Sequence, residues 1–132
     1  MTLRRHNPGQ LARPSGYSHA VSSTGGRIVF LAGQTALDRE GRIAADGIVA
    51  QFEAALGNLL AALADAGGSP EHLARVTIYT TDVSAYRDHA AEIGTIWRWL
   101  AGGDYPAMAL IGVSRLWDDE ALVELDGIAV VP

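Results

Sequence analysis

Glu124 is the residue of this chain whose surroundings best suit it to move a proton. It lies in Val123-Glu124-Leu125-Asp126-Gly127-Ile128-Ala129, an apolar run that follows another, Tyr105-Pro106-Ala107-Met108-Ala109-Leu110-Ile111-Gly112-Val113. A strand points alternate side chains to opposite faces, so Glu124 and Asp126 share one face and Val123 and Leu125 the other. A carboxylate in so apolar a run is costly unless it is paired or used. Partial burial raises its pKa and lets it take or deliver a proton near neutral pH, which makes Glu124 a candidate general acid or base. The structural alternative is an acid paired with an arginine such as Arg115. Asp126, two residues on, reads as a fold or interface residue.

Other chemistries are excluded by what is missing. The chain has no cysteine, so thiol nucleophiles, disulfides and thiolate metal sites are out. All 10 basic residues are arginine. Without lysine there is neither a protein Schiff base nor a P-loop cation, and any imine must arrive with the substrate. The four histidines, His6, His19, His72 and His89, lie far apart in sequence and form no metal-ligand spacing. Neither a glycine-rich phosphate loop nor Gly-x-Ser-x-Gly is present. We therefore expect no metal and no cofactor. His19, close to Tyr17, reads as an exposed strand histidine, with a proton-shuttle role as the alternative.

The elements that must position Glu124 follow from periodicity. Arg27 to Ala32 is short and β-branched and follows Thr24-Gly25-Gly26, which predicts a hairpin with residues 18–22. Gly33 and Gln34 end that strand, and a glycine there lets backbone groups approach a ligand closely. From about Gly47 to Ala66 the residues Val49, Phe52, Leu56, Leu59, Leu60 and Leu63 recur at helical spacing, closed by Gly67-Gly68. Leu73 to Thr81 alternates as a strand does, and Asp82 and Ser84 then offer a cap for a second helix carrying Ala90, Ile93, Trp97 and Leu100 along one stripe. Trp97 on that stripe reads as core, and Gly94 within the helix costs stability without a visible purpose. The order ββαβαββ is an α+β arrangement, a mixed β-sheet with two helices packed on one face. Its other face is apolar and must be covered.

At 132 residues the chain reads as one domain, 1–132, with no linker and 48% hydrophobic residues. A formal charge of −5 argues against nucleic acid as the main partner, because phosphate binding needs a basic surface. Arg4 and Arg5 read as part of a mobile terminus. No secretory signal and no membrane span is read, so the expected location is cytoplasmic.

The order of several short motifs resembles the Rid (YjgF-type) reactive-intermediate deaminases. Gly16-Tyr17-Ser18, Ala32-Gly33-Gln34, the stretch from Gln51 through Asn58-Leu59 to Ala66-Gly67, Val76 to Asp82, and the final pair of strands follow the family in order and spacing over most of the chain. The resemblance implies a chorismate-mutase-like Rid fold and a homotrimer whose sheets form a central barrel, with ligand clefts between subunits. It also implies that Glu124 positions the water that attacks an imine, and that Tyr17, Gly33 and Gln34 contact the ligand. Trp117, standing where the family has a proline, would cover the cleft rim.

One departure outweighs these matches. Met108 stands where deaminating members carry an arginine that holds the substrate carboxylate, and the family's asparagine falls near Ala90 or Ala91. A guanidinium grips a carboxylate through two charge-assisted hydrogen bonds; a thioether offers apolar contact and a weak acceptor. The resemblance thus implies a hydrolase-like protein acting on a neutral imine, enamine or carbonyl compound, with Met108 in the pocket. A ligand-binding or scaffolding trimer without chemistry is the alternative. Another arginine, Arg115 or Arg13 of a neighbouring subunit, would restore the anion grip if it reached the cleft.

Overall fold

The structure, a computed structural model, describes residues 3–132. In chain order it contains β1 (Leu3–His6), β2 (Ala20–Ser23), β3 (Arg27–Gln34), α1 (Ile48–Asp65), β4 (Leu73–Thr80), α2 (Val83–Asp88), α3 (Ala90–Ala101), β5 (Ala107–Gly112) and β6 (Val123–Val131). A 3-10 turn, Pro70–His72, precedes β4. The main sheet has four strands in the order β3-β6-β4-β5, with β4 and β5 parallel and the other neighbours antiparallel.

The expected hairpin between residues 18–22 and β3 does not form. β2 pairs instead with β1, so Arg4 and Arg5 belong to a strand and not to a mobile terminus. Ser18 bridges to Ala107 of β5, its N–H donating to the Pro106 carbonyl at 2.9 Å and its hydroxyl to the Tyr105 carbonyl at 2.7 Å. β3 takes β6 as its partner. The physical reason is the quality of the partner. β6 offers a nine-residue run with alternate residues buried, whereas β2 offers four residues, none of them buried. The glycines that signalled a tight turn do adopt positive φ, 74° at Gly25 and 93° at Gly26, but they turn the chain without pairing its flanks.

α1 forms where helical spacing places it. Ile48, Phe52, Ala55, Leu56, Leu59 and Leu63 are buried along one face against β3 and β6. At 18 residues and mean hydropathy 1.3 it is long and apolar enough to cross a membrane by length and composition, yet its largest apolar side chains, Phe52, Leu56, Leu59 and Leu63, are buried in the core. Gly67 closes it at φ 86°, with the Gly68 N–H donating to the Leu63 carbonyl at 2.9 Å. The expected second helix is divided at His89. α2 is capped by Asp82, whose carboxylate accepts from the Ala85 N–H at 2.9 Å, and His89 starts α3 anew after its ring nitrogen meets the Ala85 carbonyl at 2.8 Å. α1 and α3 lie on the same face of the sheet, enclosing a core of Phe52, Leu56, Leu59, Val76, Ile78, Ile93, Trp97, Val123 and Leu125.

Gln51 is buried on the apolar face of α1. Its amide nitrogen donates to the Glu120 carbonyl at 3.0 Å and the Ala45 carbonyl at 3.2 Å, and its oxygen accepts from the Leu122 N–H at 2.8 Å. This side chain ties α1 to the turn that launches β6. Gln51→Leu breaks three part-buried hydrogen bonds to backbone groups, and an equilibrium denaturation series is expected to show a loss of about 1–3 kcal/mol, the range for a polar group left unsatisfied. A loss under about 0.5 kcal/mol would mean that water replaces these bonds freely.

Among the described residues the opposite face of the sheet carries no helix. Ile28, Phe30, Ile111 and Ile128 lie on it and are 60%, 78%, 44% and 37% exposed.

Candidate functional site

Glu124 projects from the helix-free face, as alternation dictates. It sits across from Tyr79 of β4 in the sheet register, and Asp126 sits across from Thr77. The Tyr79 hydroxyl donates to Asp126 Oδ2 at 3.4 Å. Where β3 bulges between Leu31 and Gln34, Gly33 leaves room for the Glu124 carboxyl; a Cβ on Gly33 would collide with Glu124 Oε1. Gly33, expected to admit a ligand to the backbone, thus first admits the acid. The alternative partner, Arg115, is engaged elsewhere at 2.8 Å with Asp119, and among the described residues Glu124 has no ion pair.

Burial holds the Glu124 pKa above the usual carboxylate range, and the nearby charges of Asp126 and Asp118 push it further the same way. A carboxyl whose folded pKa is raised binds its proton more tightly in the folded chain than in the unfolded one. Its stability contribution is therefore full below the ordinary carboxylate pKa, and is lost as pH rises through the raised value. Glu124→Gln removes that penalty. Thermal melts are expected to show the variant more stable than the parent at pH 7–8, the two converging near pH 4 where the acid is neutral. A variant less stable at pH 7–8 would show that the carboxylate is held by a partner.

The second group of residues lies on the other side of the sheet. Met108 is the register neighbour of Val76, whose side chain faces the helices, so Met108 faces them too. It lines a cavity of about 700 Å³ between β5, α3 and the segment that carries Tyr17. Ser18, pinned to β5, fixes that segment. Tyr86, Trp97 and Tyr105 complete an aromatic wall, Trp97 and Tyr105 stacking at 6.2 Å with planes 22° apart. Burial pushes the Tyr86 phenol up to about 12, so it stays a neutral donor. Trp97 is buried, and among the described residues its Nε1–H has no hydrogen-bond partner. Such an orphan donor costs about 1–3 kcal/mol.

The candidate residues therefore divide. Tyr17 and Met108 meet in the cavity; Glu124 and Gly33 meet on the opposite face. Gln34, beyond the bulge, is opposite Leu125 on the helix side. Trp117 stands 93% exposed on the loop between β5 and β6, outside the cavity wall. His19 is edge-on to Tyr17 at 5.1 Å, and its Nε2 meets the Ala12 carbonyl at 2.7 Å. Ala90 and Ala91, at the family's asparagine position, do line the cavity. Tyr86, Tyr105 and Arg98 line it as well, and sequence reasoning missed all three. A usable signal existed for Arg98: it follows Ala90 and Gly94 at four-residue steps on one helix face. Among the described residues no cluster of histidine and acid side chains is set to hold a metal.

Comparison with known proteins agrees with this architecture. The family profile described as Endoribonuclease L-PSP matches residues 9–131. Protein DfrA of Myxococcus xanthus is 36% identical over 115 residues, covering 86% of this chain and 84% of its own. The crystal structure of YyfB from Yersinia pestis, a protein of unknown function of the conserved Rid family, superposes with TM-score 0.88 at 32% identity, covering 99% of this chain and 100% of that one. Escherichia coli TdcF, solved with bound serine, superposes with TM-score 0.68 at 26% identity, covering 96% of this chain and 94% of that one.

Proposed function

The chain belongs to the Endoribonuclease L-PSP family, that of the Rid proteins, and from this we propose that it binds a small metabolite in a cleft completed between two subunits of a homotrimer, where Glu124 acts as acid and base on an imine, enamine or carbonyl carbon. The observation that carries this reading is the division of the candidate residues. Met108 and Glu124 leave opposite faces of one sheet: the cavity that Met108 lines holds no acid, and Glu124 lines neither that cavity nor the smaller one beside Tyr79 and Asp126 on its own face. Sheets closing into a barrel would cover Ile28, Phe30, Ile111 and Ile128 and bring Glu124 of one subunit toward the pocket of the next. TdcF with serine supports the ligand size.

For an imine substrate the steps balance simply. Glu124 as carboxylate takes a proton from water while the water oxygen adds to the imine carbon. The acid so formed delivers its proton to the imine nitrogen, giving a carbinolamine; the hydroxyl proton then passes through Glu124 to the same nitrogen as the carbon–nitrogen bond breaks, and a carbonyl compound and ammonia leave. A raised pKa suits both halves of this cycle. The same reading makes the protein cytoplasmic and independent of cofactor or metal. RNA, which the family description suggests, fits poorly: Glu124, Asp126 and Asp118 form an acidic group that repels phosphate.

Met108 sets which substrates react. With no guanidinium at this position, the reacting carbon is one without an adjacent carboxylate. Met108→Arg is expected to gain at least about tenfold in hydrolysis of a small imino acid made in situ from an amino acid, as one new charge-assisted grip allows. A wild type already active, with no gain in the variant, would place the anion grip elsewhere. A scaffolding trimer without chemistry is favoured by the position of Glu124 on the face that assembly covers. It predicts that Glu124→Gln dissociates in sedimentation, whereas the catalytic reading predicts an intact trimer.

A further inference from the structure

We propose that Arg98 is an anion-binding residue of the Met108 cavity, and that the ligand carries a flat apolar body with its negative charge held at the α3 end, away from the reacting carbon. This deepens the function proposed above and rests on its reading of the cavity as the ligand pocket. Of the 17 described residues lining that cavity, Arg98 is the one whose side chain is charged at neutral pH. Among the described residues it forms no ion pair; its nearest polar partner is the Thr95 hydroxyl, to which Nη2 donates at 3.3 Å. An arginine without a carboxylate, on the wall of an aromatic cavity, is a carboxylate or phosphate grip in waiting.

Gly94 gains a purpose in the same arrangement. A Cβ there would stand 3.4 Å from the Arg98 guanidinium, so the guanidinium lies back along α3 over a floor from which side chains are missing. Ala90 and Ala91 keep the next turn low. A longer side chain at these positions would lift Arg98 off the helix or fill the space beside it. The cost of a glycine inside a helix is then offset by the access it gives.

The second, independent observation is Trp97. It is 4% exposed, lines the same cavity, and its Nε1–H lacks an acceptor among the described residues. Trp97, one residue before Arg98 on α3, is thus a buried donor without an acceptor among the described residues, and a negatively charged acceptor in this cavity is a group of the kind it lacks. Tyr17, Tyr86 and Tyr105 supply faces for a flat body between that group and Met108. The ligand is thus neutral at its reacting carbon but not as a whole. Met108 and Arg98 together shift the charge-binding end of the pocket from the strand to the helix.

Calorimetric titration of the intact protein with phenylacetate and with phenylacetamide, its neutral counterpart of nearly the same shape, tests this. Phenylacetate is expected to bind at least about tenfold tighter than phenylacetamide, and Arg98→Met to remove that preference while leaving phenylacetamide unchanged. Gly94→Leu is expected to weaken phenylacetate as well, with circular dichroism reporting whether the helix survives. If both compounds bind equally and Arg98→Met alters neither, the Arg98 assignment is wrong while the pocket stands. If neither binds, the reading of the cavity as a ligand pocket falls, and this proposal with it.

Discussion

Glu124→Gln, placed in a Met108→Arg chain so that an ordinary imino acid is hydrolysed, is expected to lower kcat by about 100-fold or more, the usual contribution of a positioned acid or base. KM should move little. The amide keeps the volume of the acid and can still orient water, but it cannot accept water's proton, so what is lost is an interaction made only on the way to the transition state. The same carboxyl also makes the parent rate depend on pH. Because burial, Asp126 and Asp118 hold its pKa above the ordinary value, activity should fall away on acidification at a higher pH than an exposed glutamate would give. Gly33→Ala offers a second way to disturb the same group, since the added methyl must displace the Glu124 carboxyl. Rates within about threefold of the parent for both variants would remove Glu124 from the chemistry.

Phe52→Ala is expected to cost about 3–5 kcal/mol of folding stability, the range for deleting a buried ring. Phe52 is 1% exposed, meets Tyr86 edge-on at 6.1 Å, and belongs at once to the core and to the cavity wall. Its loss therefore merges the cavity with a void in the core, and neighbours on α1 and the sheet are too constrained to close it. Urea unfolding at one fixed protein concentration measures the effect, because assembly adds a concentration-dependent term. A loss under about 1 kcal/mol would show that α1 collapses onto the sheet when the ring is removed.

Much of this architecture is legible in the sequence, and the parts that are not have definable causes. α1 could be read because Phe52, Leu56, Leu59 and Leu63 repeat at helical spacing and Gly67 stops the helix. The alternation in β6 gave the faces of Glu124 and Leu125 correctly, since it depends only on strand geometry. Pairing is a different matter. The glycines at 25 and 26 announced a turn, and nothing local says that β3 will pass over β2 for β6 nearly a hundred residues later. The strand at Leu3–His6 lay hidden because Arg4, Arg5 and His6 break any apolar pattern.

The candidate site was legible as a set of residues and not as a place. Motif order pointed to Tyr17, Gly33, Met108 and Glu124, but only register shows that Met108 and Glu124 leave opposite faces. Gln51 gives a similar lesson: a glutamine on an apolar helix face looks like an error until its three backbone partners are seen. Arg98 was passed over because single arginines on helices are ordinarily solvated. Gly94, which sets it apart, reads from sequence as a cost alone, and Ala90 as part of the helix stripe and the family's asparagine position.

The most direct test of the two-subunit site mixes two proteins that should each be inactive on an imino acid. One is the natural chain, which has Glu124 but Met108; the other is the Met108→Arg, Glu124→Gln double variant, which has the grip but no acid. Co-refolded in equal amounts, they are expected to recover roughly a quarter of the Met108→Arg rate, because a random pairing of subunits unites arginine and Glu124 at about one interface in four. No recovery, with Met108→Arg itself active, would contradict the account and place the acid and the pocket in the same chain.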